Sequence, residues 1–153
     1  MAALIANQSA GRVAQYASLP ATNDALILVL MKSAGAEALT VLQDYDTLLA
    51  VLAATNDECD FTNYSRKTLA GITVTVDDTN NRVDIDCNDV VYTSAGGASN
   101  NTGLRAGVFY DPDTTGGTDA DLIPVGFFDA SFTTNGNNLN VNINASGLLR
   151  AAA

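Results

Sequence analysis

A chain of 153 residues with 47% apolar content is long enough to bury one core and too apolar for intrinsic disorder. Seventeen acidic side chains against seven basic ones give a formal net charge of −10. That sign repels phosphate backbones and anionic lipid alike, which excludes nucleic acid and charged membrane surfaces as partners. Histidine is absent, so Ser-His-Asp triads, Cys-His dyads and imidazole metal ligands are excluded as well.

The first twelve residues, MAALIANQSAGR, lack the basic start and longer apolar core of a secretory signal, which predicts a chain made and kept in a cytosol. Residues 1–20 read as an N-terminal arm with a short helix: AGRVAQYASL sets Val13, Tyr16 and Ala17 on one side and Pro20 stops it. A helix that short is marginal alone, so the arm is expected to dock on its own domain or on a neighbouring subunit. Residues 21–153 read as a single β-rich domain.

Within that domain, the apolar run ALILVLM at 25–31 lies between Asn23-Asp24 and a Ser-Ala-Gly turn, and it predicts a strand buried on both faces. Seven residues are far short of the roughly 20 that a membrane-spanning helix needs. DYDTLLAVLAAT at 44–55 predicts the one good helix, acidic at its start and closed by Asn56-Asp57.

ITVTVDDTNNRVDIDC at 72–87 alternates apolar with polar on both sides of an Asp-Thr-Asn-Asn turn, the signature of a hairpin. Pairing Val76 with Val83 also pairs Val74 with Ile85 and Ile72 with Cys87, which predicts one shared buried face. Strands are further predicted at 89–93, 104–110, 122–132 and 139–145, and the tail LLRAAA completes the count. About seven strands against one good helix predict a mainly β fold, an antiparallel β-sandwich or partly open β-barrel.

Two cysteines, Cys59 and Cys87, stand far apart without a CxxC spacing, so zinc ligation is not supported and two half-buried thiols are expected, with a disulfide as the alternative. The stretch YDPDTTGGTDADLIP at 110–124 sets Asp111, Asp113, Asp119 and Asp121 around a Gly-Gly turn. It matches no phosphate-binding glycine pattern and has no nearby lysine. Its D-x-D-x-x-G-x-x-D spacing is loosely calcium-like but lacks the terminal glutamate of an EF-hand. The expected role is a shaped, solvated connection built from strong turn formers, with no metal, cofactor or catalytic residue assigned. Ser65-Arg66-Lys67 reads as surface charge, with an acidic partner as the alternative.

Three blocks, DYDTLLAVLAAT, NYSRKTLAGITVTVDDTNNRVDID at 63–86 and YDPDTTGGTDADLIPVGFFDASF at 110–132, resemble a family of small virion proteins of tailed bacteriophages. The resemblance runs from about Gly11 to Arg150. It implies a non-enzymatic head decoration or minor structural protein, with the major capsid protein as partner, a homo-oligomer (a trimer favoured), no cofactor, and a place on the virion surface after assembly in the host cytoplasm. A tail or fibre component is the alternative. A carbohydrate- or calcium-binding β-module ranks third, since the absence of tryptophan thins the stacking platform that sugars prefer.

Overall fold

The computed structural model describes residues 3–144 and 147–152. Among these described residues ten strands form three antiparallel sheets: β1 (Ala3–Ile5), β2 (Ala25–Lys32), β3 (Lys67–Thr68), β4 (Thr73–Asp77), β5 (Arg82–Asp86), β6 (Val90–Tyr92), β7 (Thr102–Asp111), β8 (Ile123–Thr133), β9 (Leu139–Val141) and β10 (Leu149–Ala152). The largest sheet has the order β1-β8-β7-β2-β3, and β10-β5-β4 and β6-β9 are the smaller ones. Three short helices, α1 (Val13–Ala17), α2 (Leu39–Leu42) and α3 (Leu48–Ala53), complete the mainly β, sandwich-like fold. Among the described residues no helix is long and apolar enough to cross a membrane.

The unbroken apolar run of β2 has the burial its composition predicts. Alternate side chains go to opposite faces of a strand, and Leu26, Leu28 and Leu30 enter one core while Ala25, Ile27, Val29 and Met31 enter another. The first core lies between the five-stranded sheet and the two smaller sheets, with Ile85, Tyr92, Val141 and Leu149 supplying the far layer. The second is closed by Leu42 of α2, by Leu48 and Val51 of α3 and by Leu122. Both faces of the main sheet are therefore covered, one by strands and one by helices.

The hairpin register is the predicted one, Val74↔Ile85 and Val76↔Val83, with Thr73 and Thr75 opposite Asp86 and Asp84. Its burial is not uniform, however. Ile85 is fully buried, Val74 is half-buried, and Val76 is 67% exposed because the turn end of the hairpin projects beyond the core. Ile85→Asp is therefore expected to cost several kcal/mol through an unpaired buried charge, whereas Val76→Asp stays within about 0.5 kcal/mol of the parent. Chemical denaturation of both variants checks this, and equal losses would overturn the assigned inside of the hairpin.

Residues read as an arm are built into this body. β1 extends the main sheet, with Ala3, Leu4 and Ile5 opposite Phe128, Phe127 and Gly126. A 3-10 turn at Asn7–Ser9 follows, its Ser9 hydroxyl donating to the Pro124 carbonyl at 2.5 Å. Val13, Tyr16 and Ala17 of α1 are buried in the larger core, where Tyr16 stacks on Tyr110 at 4.5 Å. Of the two docking options the sequence leaves open, the segment takes its own domain.

The helix predicted over 44–55 is shorter. It begins at Leu48, because Thr47 takes the extended N-cap conformation and its Oγ1 accepts the Ala50 N–H at 3.1 Å. Asp44 and Asp46 stay outside it. Both cysteines are free and buried, and burial pushes the Cys59 thiol up to about 12 and the Cys87 thiol up to about 11. Neither is a reactive thiolate at neutral pH.

Candidate functional site

The aspartate-rich loop joins β7 to β8, and its polar groups are turned inward on the loop itself. Asp111 Oδ1 accepts the Asp113 N–H at 3.0 Å. Asp113 Oδ1 in turn accepts the Thr115 N–H at 3.0 Å and the Thr115 hydroxyl at 2.5 Å, bonds that hold its carboxyl below the usual range. Asp121 Oδ2 accepts both the N–H and the hydroxyl of Thr118, at 2.8 and 3.1 Å. These are the local side-chain turns that Asp favours.

The loop is also pinned to its surroundings. The N–H and the hydroxyl of Thr114 both donate to the Asn23 carbonyl at 2.8 Å. More tellingly, the carbonyls of Leu122 and Asp119 accept the N–H groups of Leu48 and Leu49 at 3.0 and 2.9 Å. Those donors, with the Ala50 N–H taken by Thr47, are the ones a helix start leaves without an intrahelical partner. The loop thus caps α3.

Asp119 does more. Its carboxylate receives Arg66 Nη1 at 2.5 Å and Nη2 at 3.0 Å, and the same guanidinium meets Glu58 through Nε at 2.9 Å and Nη2 at 2.7 Å. Arg66 holds the Asp119 carboxyl below its ordinary value. Glu58 is further fixed by the Tyr64 hydroxyl, which donates to Oε1 at 2.8 Å and accepts the Leu30 N–H at 3.2 Å. One arginine therefore ties the strip beside β2, residues 58–66, to the β7-β8 loop. The Arg66 read as surface charge finds its acidic partners within the chain.

Beside this link, Tyr64 stacks on Tyr92 at 5.8 Å, Phe61 meets both rings edge-on, and Lys67 Nζ sits 5.1 Å from the Tyr92 ring centre. Tyr92 is fully buried, and its hydroxyl has no hydrogen-bond partner among the described residues. The cluster is apolar packing with a cation on its rim.

The four aspartates are not brought together. Asp119 faces Arg66, whereas Asp111, Asp113 and Asp121 face their own turns, and among the described residues no group of three or more His, Cys, Asp or Glu side chains is placed to hold a metal ion. Adding calcium to the protein, or stripping divalent ions with a chelator, is expected to leave the melting temperature unchanged, because a ligand raises stability only where it binds the native state. A calcium-dependent rise of several degrees, abolished by Asp111→Asn plus Asp113→Asn, would overturn the structural role given to the loop. Sequence reading found the loop but missed the Glu58–Arg66–Asp119 link, whose only local signal is an arginine next to a short strand.

Compared with models of protein families, with curated proteins and with solved structures, the chain matches none.

Proposed function

We propose that the chain is a non-enzymatic structural protein of a tailed-bacteriophage particle, a decoration protein bound to the lattice of the major capsid protein, with a homotrimer as its working form. The observation that carries this reading is how the carboxylates are used. Those of the 110–124 stretch and of Glu58 shape turns and tie segments together, which is the chemistry of a fixed surface. The acidic, histidine-free composition supports an inert exposed role. The resemblance of three ordered blocks of sequence to phage virion proteins supplies the particle.

The test is placement on the particle. Antibody labelling of purified virions is expected to mark the head, and purified protein is expected to co-sediment with undecorated heads. Label confined to the tail or fibres, with no co-sedimentation, would move the protein to the alternative structural position. Absence from the particle altogether would overturn the reading.

A further inference from the structure

Asparagine followed by glycine occurs once in the chain, at Asn135-Gly136 in the connection from β8 to β9. The pair is chemically fragile, because glycine puts no side chain in the way when its own backbone nitrogen attacks the preceding side-chain amide. The fold nonetheless requires it. Gly136 has a φ of +91°, which favours glycine, and a Cβ added there would stand 3.5 Å from the Gly97 Cα, so two loops meet glycine to glycine. They clasp each other at that point. The Gly136 N–H donates to the Ala95 carbonyl at 2.8 Å, and the Ala95 N–H donates to the Asn137 carbonyl at 2.9 Å. Beside them the Thr134 N–H donates to the Asn101 carbonyl at 3.0 Å, while the Thr134 hydroxyl oxygen accepts the Asn101 N–H at 2.9 Å. Asn135 Oδ1 accepts the Asn137 N–H at 3.1 Å. Ala95 and Thr134 are buried and Asn135 is exposed, so the side-chain amide stands in water above a closed set of backbone bonds.

The geometry points to Asn135 as a deamidation site gated by this clasp, its amide lost only when the loops at 95–97 and 134–137 part. The reaction begins when hydroxide takes the Gly136 N–H proton and the nitrogen attacks Asn135 Cγ. The bond from Cγ to the side-chain nitrogen breaks, ammonia leaves with a proton from water, and a cyclic succinimide remains. Water then opens either of its carbonyls, giving an aspartyl or an isoaspartyl residue. In the closed clasp the Gly136 proton is committed to the Ala95 carbonyl, so the first step needs the same local opening that amide exchange needs. The two products differ in consequence. An aspartyl side chain still accepts the Asn137 N–H and leaves the backbone unchanged. An isoaspartyl residue inserts a methylene into the main chain, so that the Gly136 N–H and the Asn137 carbonyl no longer both reach Ala95. A transient opening thereby becomes a permanent release of the clasp.

This inference does not rest on the virion reading, and its test uses the isolated full-length protein near neutral pH. Peptide mapping by mass spectrometry follows deamidation at Asn135, and hydrogen exchange follows the Gly136 amide, each in the native protein and in the chain unfolded by guanidinium. Native deamidation is expected to be at least about tenfold slower, with exchange at Gly136 slowed by a factor that agrees within about threefold. Gly97→Ala puts a side chain at a φ of +99°, which strains the clasp, and it is expected to raise the native deamidation rate about tenfold with the parent's circular dichroism retained. Asn135→Asp is expected to melt like the parent, whereas isoaspartyl protein recovered from the unfolded reaction refolds without protection at Gly136. Equal deamidation in native and unfolded protein, none in either, or a slowing that does not track Gly136 exchange would overturn the inference. So would a folded Gly97→Ala protein whose Gly136 exchanges faster while Asn135 deamidates no faster than in the parent. The comparison of native with unfolded parent decides the outcome if Gly97→Ala fails to fold.

Discussion

Deleting residues 1–20 is expected to abolish cooperative folding. Ala6 is fully buried in the smaller core, and Val13, Tyr16 and Ala17 are buried in the larger one, so the segment closes both sides of the main sheet. Each large side chain removed forfeits about 1.5–3 kcal/mol of burial. The deletion also strips β1 from β8 and removes the backbone bonds from Ala6 N to the Val125 carbonyl at 3.1 Å and from Asn7 N to the Gln43 carbonyl at 2.8 Å. Set against a typical net stability of about 5–15 kcal/mol for a whole domain, the sum is decisive. Thermal melting followed by circular dichroism should show no transition in the truncated chain, while Tyr16→Ala alone keeps the fold at a cost of about 3–5 kcal/mol. A truncated protein that melts like the parent would mean the segment is an appendage after all.

Arg66→Ala is the second large effect, expected at about 2–3 kcal/mol. Removing one member of a fully buried ion pair costs about 3–5 kcal/mol because the remaining charge loses its partner. Here the side chains of Arg66, Glu58 and Asp119 keep 31%, 20% and 33% of their exposure, so solvent screens part of that loss. Two carboxylates are left facing the gap, and Glu58→Gln in the Arg66→Ala background should restore some stability where the same change in the parent lowers it. The pH dependence has a definite sign. The Asp119 carboxyl is held low by Arg66, so its contribution is present above the unfolded-state value of about 3.9 and is lost as pH falls through the lower folded value. The parent should lose more stability than Arg66→Ala between about pH 4 and pH 2. Parallel pH profiles in denaturant unfolding would show that the link carries no weight.

By itself the sequence determined what depends on neighbours along the chain. The alternation over 72–87 determined that Val74 meets Ile85 and Val76 meets Val83, because a shift by one residue would turn every apolar side chain outward. The unbroken run at 25–31 determined a strand covered on both faces. The Asp and Thr content of the β7-β8 loop set its turns, since those side chains bond to backbone two or three residues away. Tertiary structure alone decided the rest. β1 and β3 are three and two residues long, too short to carry a period, and they are strands only because β8 and β2 offer edges to them. The division of the second layer into β10-β5-β4 and β6-β9 depends on partners tens of residues apart. Val76 is exposed although its pattern is that of a buried residue, because how far a hairpin reaches past its core is a matter of the other layer. Arg66 pairs with Asp119, 53 residues away, and an ion pair at that separation leaves no trace in local spacing: charge complementarity acts through space, and the fold brings the partners within reach.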